Sequence, residues 1–233
     1  MFIPLHDKNS LTHVRLQFVT LGVIALNVLI FLLTNSGSAG LVLQDYALAF
    51  GLIPRQFSDF QAVGLILSDP ILLTAPLSYA FLHADWMHLL GNMAFLWVFG
   101  DNVEDAMGHF RFLLFYCLCA MGAAAFHIVA SWGSPVPLIG ASGATSGIVA
   151  AYLMLHPNIK IWGLFLGRIP LRVPAYICLG GWLILQFINV GLDSEGGVAW
   201  WAHIGGAVFG ALLIPVMKRT NVSLLDGYWE DKA

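Results

Sequence analysis

Seven polar residues of this sequence sit inside long apolar runs: His83, His88, Asn92, His127, Ser142, Ser146 and His203. Ionisable groups in such surroundings are costly and usually functional, whereas serine and threonine can bond back onto their own helix. Ser142 and His203 together suggest nucleophilic catalysis. A serine hydroxyl attacks poorly until a base takes its proton, and a neutral histidine is the usual base near pH 7. Attack on an amide builds an oxyanion, which needs donors already in place. Ser142 begins an apolar helical run, so its own N–H is free and lies at the positive end of the helix dipole. His88 and Asn92 are four apart on one helix face and can both donate toward one point. No carboxylate is spaced to orient His203, because Asp193 is ten residues upstream. The unit therefore reads as a Ser–His dyad.

The remaining polar groups read more plainly. Ser146 lies one turn below Ser142, roughly 6 Å deeper, away from the helix terminus. His83 and His127 read as structural. The Asp101, Glu104, Asp105 cluster reads as a solvated helix end, with Glu104 also available to bond neighbouring loops. His83 and His88 are five apart and would point about 140° from each other on a helix. There is no H-E-x-x-H and no Cys/His cluster, so neither metal nor cofactor is expected. Cys117, Cys119 and Cys178 lie in apolar runs and read as buried hydrophobes.

The elements that must hold these residues follow from composition. The chain has 233 residues, 59% hydrophobic and 10% charged, with a mean hydropathy of +0.81. A soluble domain is roughly a quarter charged, so a water-soluble globule and a disordered chain are both excluded. Ten Lys/Arg against thirteen Asp/Glu make no basic face for nucleic acid. A spanning helix needs about 20 mainly apolar residues. Six stretches qualify, at about 16–33, 86–104, 110–130, 142–155, 175–190 and 199–217. The expected class is all-α: a single polytopic membrane domain over residues 1–233, a bundle of six transmembrane helices. A long interfacial loop at 35–85 and a short cytoplasmic tail at 220–233 complete it. The first stretch, with Ser38-Ala39-Gly40 after it, could pass for a signal peptide. Its apolar run exceeds the roughly 7–15 residues of a signal core, so an uncleaved anchor is expected.

With six spans both termini share a side. That side holds Lys8, Arg15, Arg111, Lys160, Arg168, Arg172, Lys218, Arg219 and Lys232, and the other only Arg55. Lys and Arg collect on the cytoplasmic side, so both termini are expected there. Depth then follows from the helical rise. Ser142 to His156 covers about 21 Å of a hydrocarbon core about 30 Å thick. Ser142 thus lies about 9 Å below the outer surface, reached by the irregular stretch Ser134-Pro-Val-Pro-Leu-Ile-Gly140. Irregular backbone at such depth is tolerated only where protein or a water-filled cavity surrounds it. A wet pocket opening to the outer side is the implication. His203, His88 and Asn92 fall at similar depths on their own helices, roughly 18–24 Å above the cytoplasmic face. Gly143 with Gly147, and Gly206 with Gly210, form G-x-x-x-G pairs that let helix backbones approach closely.

Taken together, His83-Ala-Asp-Trp-Met-His88-Leu-Leu-Gly-Asn92, Gly140-Ala-Ser142-Gly and Ala202-His203-Ile-Gly-Gly resemble the three motifs of the rhomboid intramembrane serine proteases. Their order and their places on the second, fourth and sixth helices also match. The resemblance implies Ser142 as nucleophile, His203 as general base, and His88, Asn92 and the Ser142 N–H as the oxyanion hole. His83 matches the family's other, structural histidine. Two positions depart from the pattern. Thr74-Ala75 stand where some members carry Trp-Arg, and Ser146 stands where some place a tyrosine that stacks on the histidine.

The expected function is an intramembrane serine endopeptidase cutting peptide bonds in or near transmembrane segments of other membrane proteins. The resemblance implies substrates with small residues at the cut and a helix that unwinds easily. A rhomboid-like pseudoprotease, binding membrane clients without cleavage, is the alternative. A transporter would need a polar path through both leaflets, and apolar Val149 to Leu155 lie beneath the polar residues. The expected partners are membrane-protein substrates and the lipid bilayer. The expected location is a prokaryotic inner membrane.

Overall fold

The computed structural model describes residues 2–35, 43–58, 64, 68–165, 167–192 and 198–225. Ser38-Ala39-Gly40, Leu65–Leu67, Asp193 and the tail beyond 225 lie outside the described residues. In chain order the elements are β1 (Phe2–Asp7), α1 (Phe18–Asn35), α2 (Leu43–Phe50), α3 (Pro70–Ser78), α4 (Trp86–Met107), α5 (His109–Ala130), α6 (Ser142–Leu155), β2 (Lys160–Phe165), β3 (Ile169–Pro174), α7 (Ala175–Gly191) and α8 (Trp200–Met217). The molecule is mostly helical. Of the described helices, α1, α5 and α8 are long and apolar enough to cross a membrane. α6 and α7 are apolar but shorter, with 14 and 17 residues. α4 has 22 residues but carries Asp101, Glu104 and Asp105 near its end.

The helical class expected from the sequence holds for most of the chain, and to it the structure adds a three-stranded antiparallel sheet in the order β1-β2-β3. β2 and β3 form a hairpin whose turn includes Gly167 at φ +70°, backbone that glycine adopts without a Cβ clash. β1 adds along β2 from the far end of the sequence. Each strand is only six residues long and one is completed by a distant partner, so local periodicity carries little of the signal.

The acidic cluster is also not a solvated helix end. Glu104 is fully buried and accepts hydrogen bonds from Val19 N–H (3.0 Å), Thr20 N–H (2.8 Å) and Thr20 Oγ1 (2.6 Å). It thereby serves the unpaired donors at the start of α1. Asp105 accepts from the backbone N–H groups of Thr12, His13 and Val14. The end of α4 is thus a clamp for the chain that precedes α1.

α6 is the centre of the bundle, and eleven of its fourteen residues are buried. It lies against α8 backbone to backbone. A Cβ on Gly206 would stand 1.8 Å from the Gly143 carbonyl oxygen, and one on Gly210 would stand 2.2 Å from that of Gly147. The paired G-x-x-x-G spacing therefore does what the sequence suggests.

Candidate active site

The motif around His83 folds as a helix start. Asp85 is extended at the N-cap of α4 and its carboxylate accepts the His88 N–H at 2.9 Å, the usual role of aspartate there. That cap places His88 in the first turn, facing the chain that leads into α6. The His88 Nε2 lies 2.5 Å from where a Gly140 Cβ would stand. Gly140 has φ +118°, so both its backbone and its neighbour require glycine. Ala84 N–H meets His88 Nδ1 at 3.4 Å. This leaves the ring proton for Nε2, the nitrogen on the Gly140 side.

The irregular approach to α6 keeps its backbone paired. Leu138 exchanges two backbone hydrogen bonds with Leu52, at 2.8 and 3.1 Å, and Ser134 accepts from Arg55 N–H at 2.9 Å. Gly140 N–H donates to the Tyr79 carbonyl at 2.9 Å, while Tyr79 Oη donates to the Ala120 carbonyl at 2.8 Å. His83 is fully buried below this loop, its ring 5.0 Å from that of His88 and its Nε2 3.5 Å from Ala141 N. Burial, with His88 adding to it, pushes the His83 imidazole down to about 4. A neutral ring can accept from the loop, so its place is that of a support.

Ser142 stands at the first position of α6, half-buried. Ser146 is fully buried and donates its hydroxyl to the Ser142 carbonyl at 2.6 Å, which ties it into the helix. Asn92 is buried, with one amide N–H on the His88 carbonyl at 3.1 Å; among the described residues its second N–H has no such tether. Ser142, His203, His88 and Asn92 line one cavity of about 760 Å³, and Ser146 does not. The cavity continues between α4 and α7, past Phe95 and Trp182, to Phe165, Leu171 and Val173 of the sheet. That lateral extension was not legible in the sequence.

His203 has a partner that spacing alone did not reveal. Its Nδ1 lies 2.8 Å from Gln186 Oε1, and Gln186 is 2% exposed. Gln186 Nε2 donates to the Trp182 carbonyl at 2.8 Å, which turns the amide oxygen toward His203. An accepting oxygen calls for the proton on Nδ1 and leaves Nε2 as the basic nitrogen. The rings of Trp182 and Trp200 lie 5.9 Å from the imidazole on two sides. They occupy the packing role left open by Ser146. The only hint in the sequence is that Gln186 is one of two amides, with Asn189, in the otherwise apolar run of α7. Among the described residues no cluster of three or more His, Cys, Asp or Glu could hold a metal.

Comparison with known proteins agrees with these motifs. A Rhomboid domain is matched over residues 73–220. The chain is 29% identical over 178 residues to "Rhomboid protein 1, mitochondrial" of Saccharomyces cerevisiae, covering 70% of this chain and 48% of that protein. It is 28% identical over 161 residues to "Rhomboid-like protein 11, chloroplastic" of Arabidopsis thaliana, covering 63% and 53%. It is 35% identical over 158 residues to "Rhomboid protease AarA" of Providencia stuartii, covering 57% and 51%. The chain thus spans about half the length of the curated relatives it matches. Two of these names specify mitochondria and chloroplasts, so kinship establishes a multi-pass membrane protein and does not select the inner membrane expected from the sequence. With its motifs on α4, α6 and α8 lining one cavity, the chain belongs to the rhomboid family.

Proposed function

We propose that this chain is a serine endopeptidase that cleaves other membrane proteins in or beside their transmembrane segments. The observation that carries this reading is the cavity shared by Ser142, His203, His88 and Asn92. In this reading the chain is one membrane domain, α1, α4, α5, α6, α7 and α8 are its six spans, and both termini are cytoplasmic. The sheet then lies at the cytoplasmic surface, and Ser142 faces the outer half of the bilayer.

The chemistry follows from the donors and acceptors. His203 Nε2 takes the Ser142 hydroxyl proton as Oγ bonds to the scissile carbonyl carbon. The carbonyl oxygen becomes an oxyanion, met by the Ser142 N–H, the His88 Nε2–H and the Asn92 amide. Collapse breaks the C–N bond, and His203 hands its proton to the leaving amine. Water then adds to the acyl group, giving a proton to His203; as the Oγ–acyl bond breaks, His203 returns that proton to Oγ, and the released carboxylic acid ionises in solvent. Gln186 keeps His203 in the tautomer this cycle requires. The apolar seam between α4 and α7, where the Phe95 and Trp182 rings meet at 5.6 Å, would have to part to admit an unwinding substrate segment, whose carbonyls must leave their own helix to reach Ser142.

Labelling by a fluorophosphonate probe tests the proposal in the purified chain. Wild type should label and Ser142→Ala should not. Binding of a model transmembrane substrate without labelling or cleavage would instead identify a pseudoprotease.

A further inference from the structure

We propose that the sheet face turned away from the active-site cavity binds the phosphate of an anionic phospholipid headgroup. Strand alternation builds the site. His6 pairs with Trp162, and Trp162 with Arg172, so the three side chains form a row across the sheet. Lys160 is two residues before Trp162, and Lys8 is two after His6, so both extend the same face. These five residues line a hollow of about 370 Å³, and all five are exposed.

The intervening residues point the other way. Ile161 is fully buried, and Asp7 is 5% exposed, with Tyr152 Oη and Asn102 Nδ2 donating to its carboxylate at 2.5 and 3.1 Å. The one acid on these strands is therefore withdrawn from the hollow. Among the described residues, Lys8, Lys160 and Arg172 make no salt bridge. Three like charges gathered in one concavity without a counter-charge favour an anion, and phosphate oxygens suit lysine and the arginine fork.

Position identifies the source of that phosphate. The sheet runs from the end of α6 at Leu155 to the start of α7 at Ala175, the level at which apolar helices leave the hydrocarbon. Trp162, 48% exposed in the middle of the row, is a residue type that collects at that interface. The inner face of the same strands lines the active-site cavity through Phe165, Leu171 and Val173. A bound headgroup would brace that wall, although binding itself does not depend on the protease reading.

The test uses the full chain in phosphatidylcholine nanodiscs with increasing phosphatidylglycerol, with bound lipid counted by native mass spectrometry. Wild type should retain one phosphatidylglycerol saturably. Each basic residue near an anionic surface contributes about fivefold in affinity. K8Q/K160Q/R172Q should therefore bind about 100-fold more weakly, while K8R/K160R/R172K should bind like wild type. Retention by the Gln variant within threefold of wild type would overturn the proposal. So would displacement of the lipid by equimolar inorganic phosphate, which would assign the site to the free anion. If the Gln variant does not fold, wild type is photolabelled with a phosphatidylglycerol carrying its reactive group beside the phosphate. Labels should map to residues 2–8 and 160–174, and labels confined elsewhere would sink the idea.

Discussion

At the scale of single residues, Ser142 and Ser146 separate by the fate of their hydroxyls. Ser146 spends its proton on the Ser142 carbonyl, whereas Ser142 opens into the cavity. Ser142→Ala should abolish cleavage of a model transmembrane substrate with an almost unchanged melting temperature. Ser146→Ala should retain cleavage, and the reverse pattern would assign the nucleophile to Ser146. In the proposed mechanism Asn92 is one oxyanion donor, so Asn92→Ala should lower kcat by up to about 10²–10³, with KM little changed, because the oxyanion exists only after attack. A raised KM with intact kcat would make Asn92 a docking residue. Gln186 acts through His203, so Gln186→Leu should lower kcat roughly 10- to 100-fold at constant KM. Gln186→Glu should restore most of that loss, because it again supplies an acceptor to Nδ1. Equal kcat in wild type and Gln186→Leu would reduce Gln186 to packing.

At the scale of elements, two contacts are exposed to a single change. Gly206→Ala would drive a methyl into the Gly143 carbonyl, which is backbone and cannot swing aside. α6 and α8 must then separate, at a cost of about 1–3 kcal/mol, and Ser142 would move away from His203. A lower melting temperature together with lost cleavage is expected; full activity would mean the helices are less constrained than their backbones indicate. The second contact is β1. Burial raises the Asp7 carboxyl above its ordinary value, against the hydrogen bond from Tyr152. Because the folded pKa is the higher one, its stabilising contribution is present in acid and lost as pH rises through that raised value. Amide exchange in residues 2–8 should therefore quicken with pH beyond the intrinsic chemical rate, and Asp7→Asn should remove that excess. An excess that persists in Asp7→Asn would place the titrating group elsewhere.

At the scale of the whole molecule, charge and depth decide how the chain sits. Nine of ten Lys/Arg residues fall on one side of the proposed bundle, and such loops stay in the cytoplasm. Reporter fusions should place Asp69 outside and Arg168 inside. An outside Arg168 would invert the orientation, and with it the leaflet from which water reaches Ser142. The clamps at the end of α4 matter at this scale as well. Glu104 and Asp105 tie the N-terminal chain to the bundle, so the helix that carries His88 and Asn92 also anchors α1.

What could be read from the sequence alone was whatever local chemistry dictates. Apolar length marks membrane helices, because lipid leaves backbone groups no other partner. G-x-x-x-G spacing marks close approach, and the three motifs mark Ser142, His203, His88 and Asn92. Tertiary structure alone decided the rest, because each remaining feature joins residues far apart in the chain. Gln186 meets His203 only once α7 packs beside α8. Glu104 became a buried cap rather than a solvated acid because the start of α1 folds onto it. The sheet is invisible locally because β1 and β2 lie at opposite ends of the helices between them, and short strands acquire identity only from their partners.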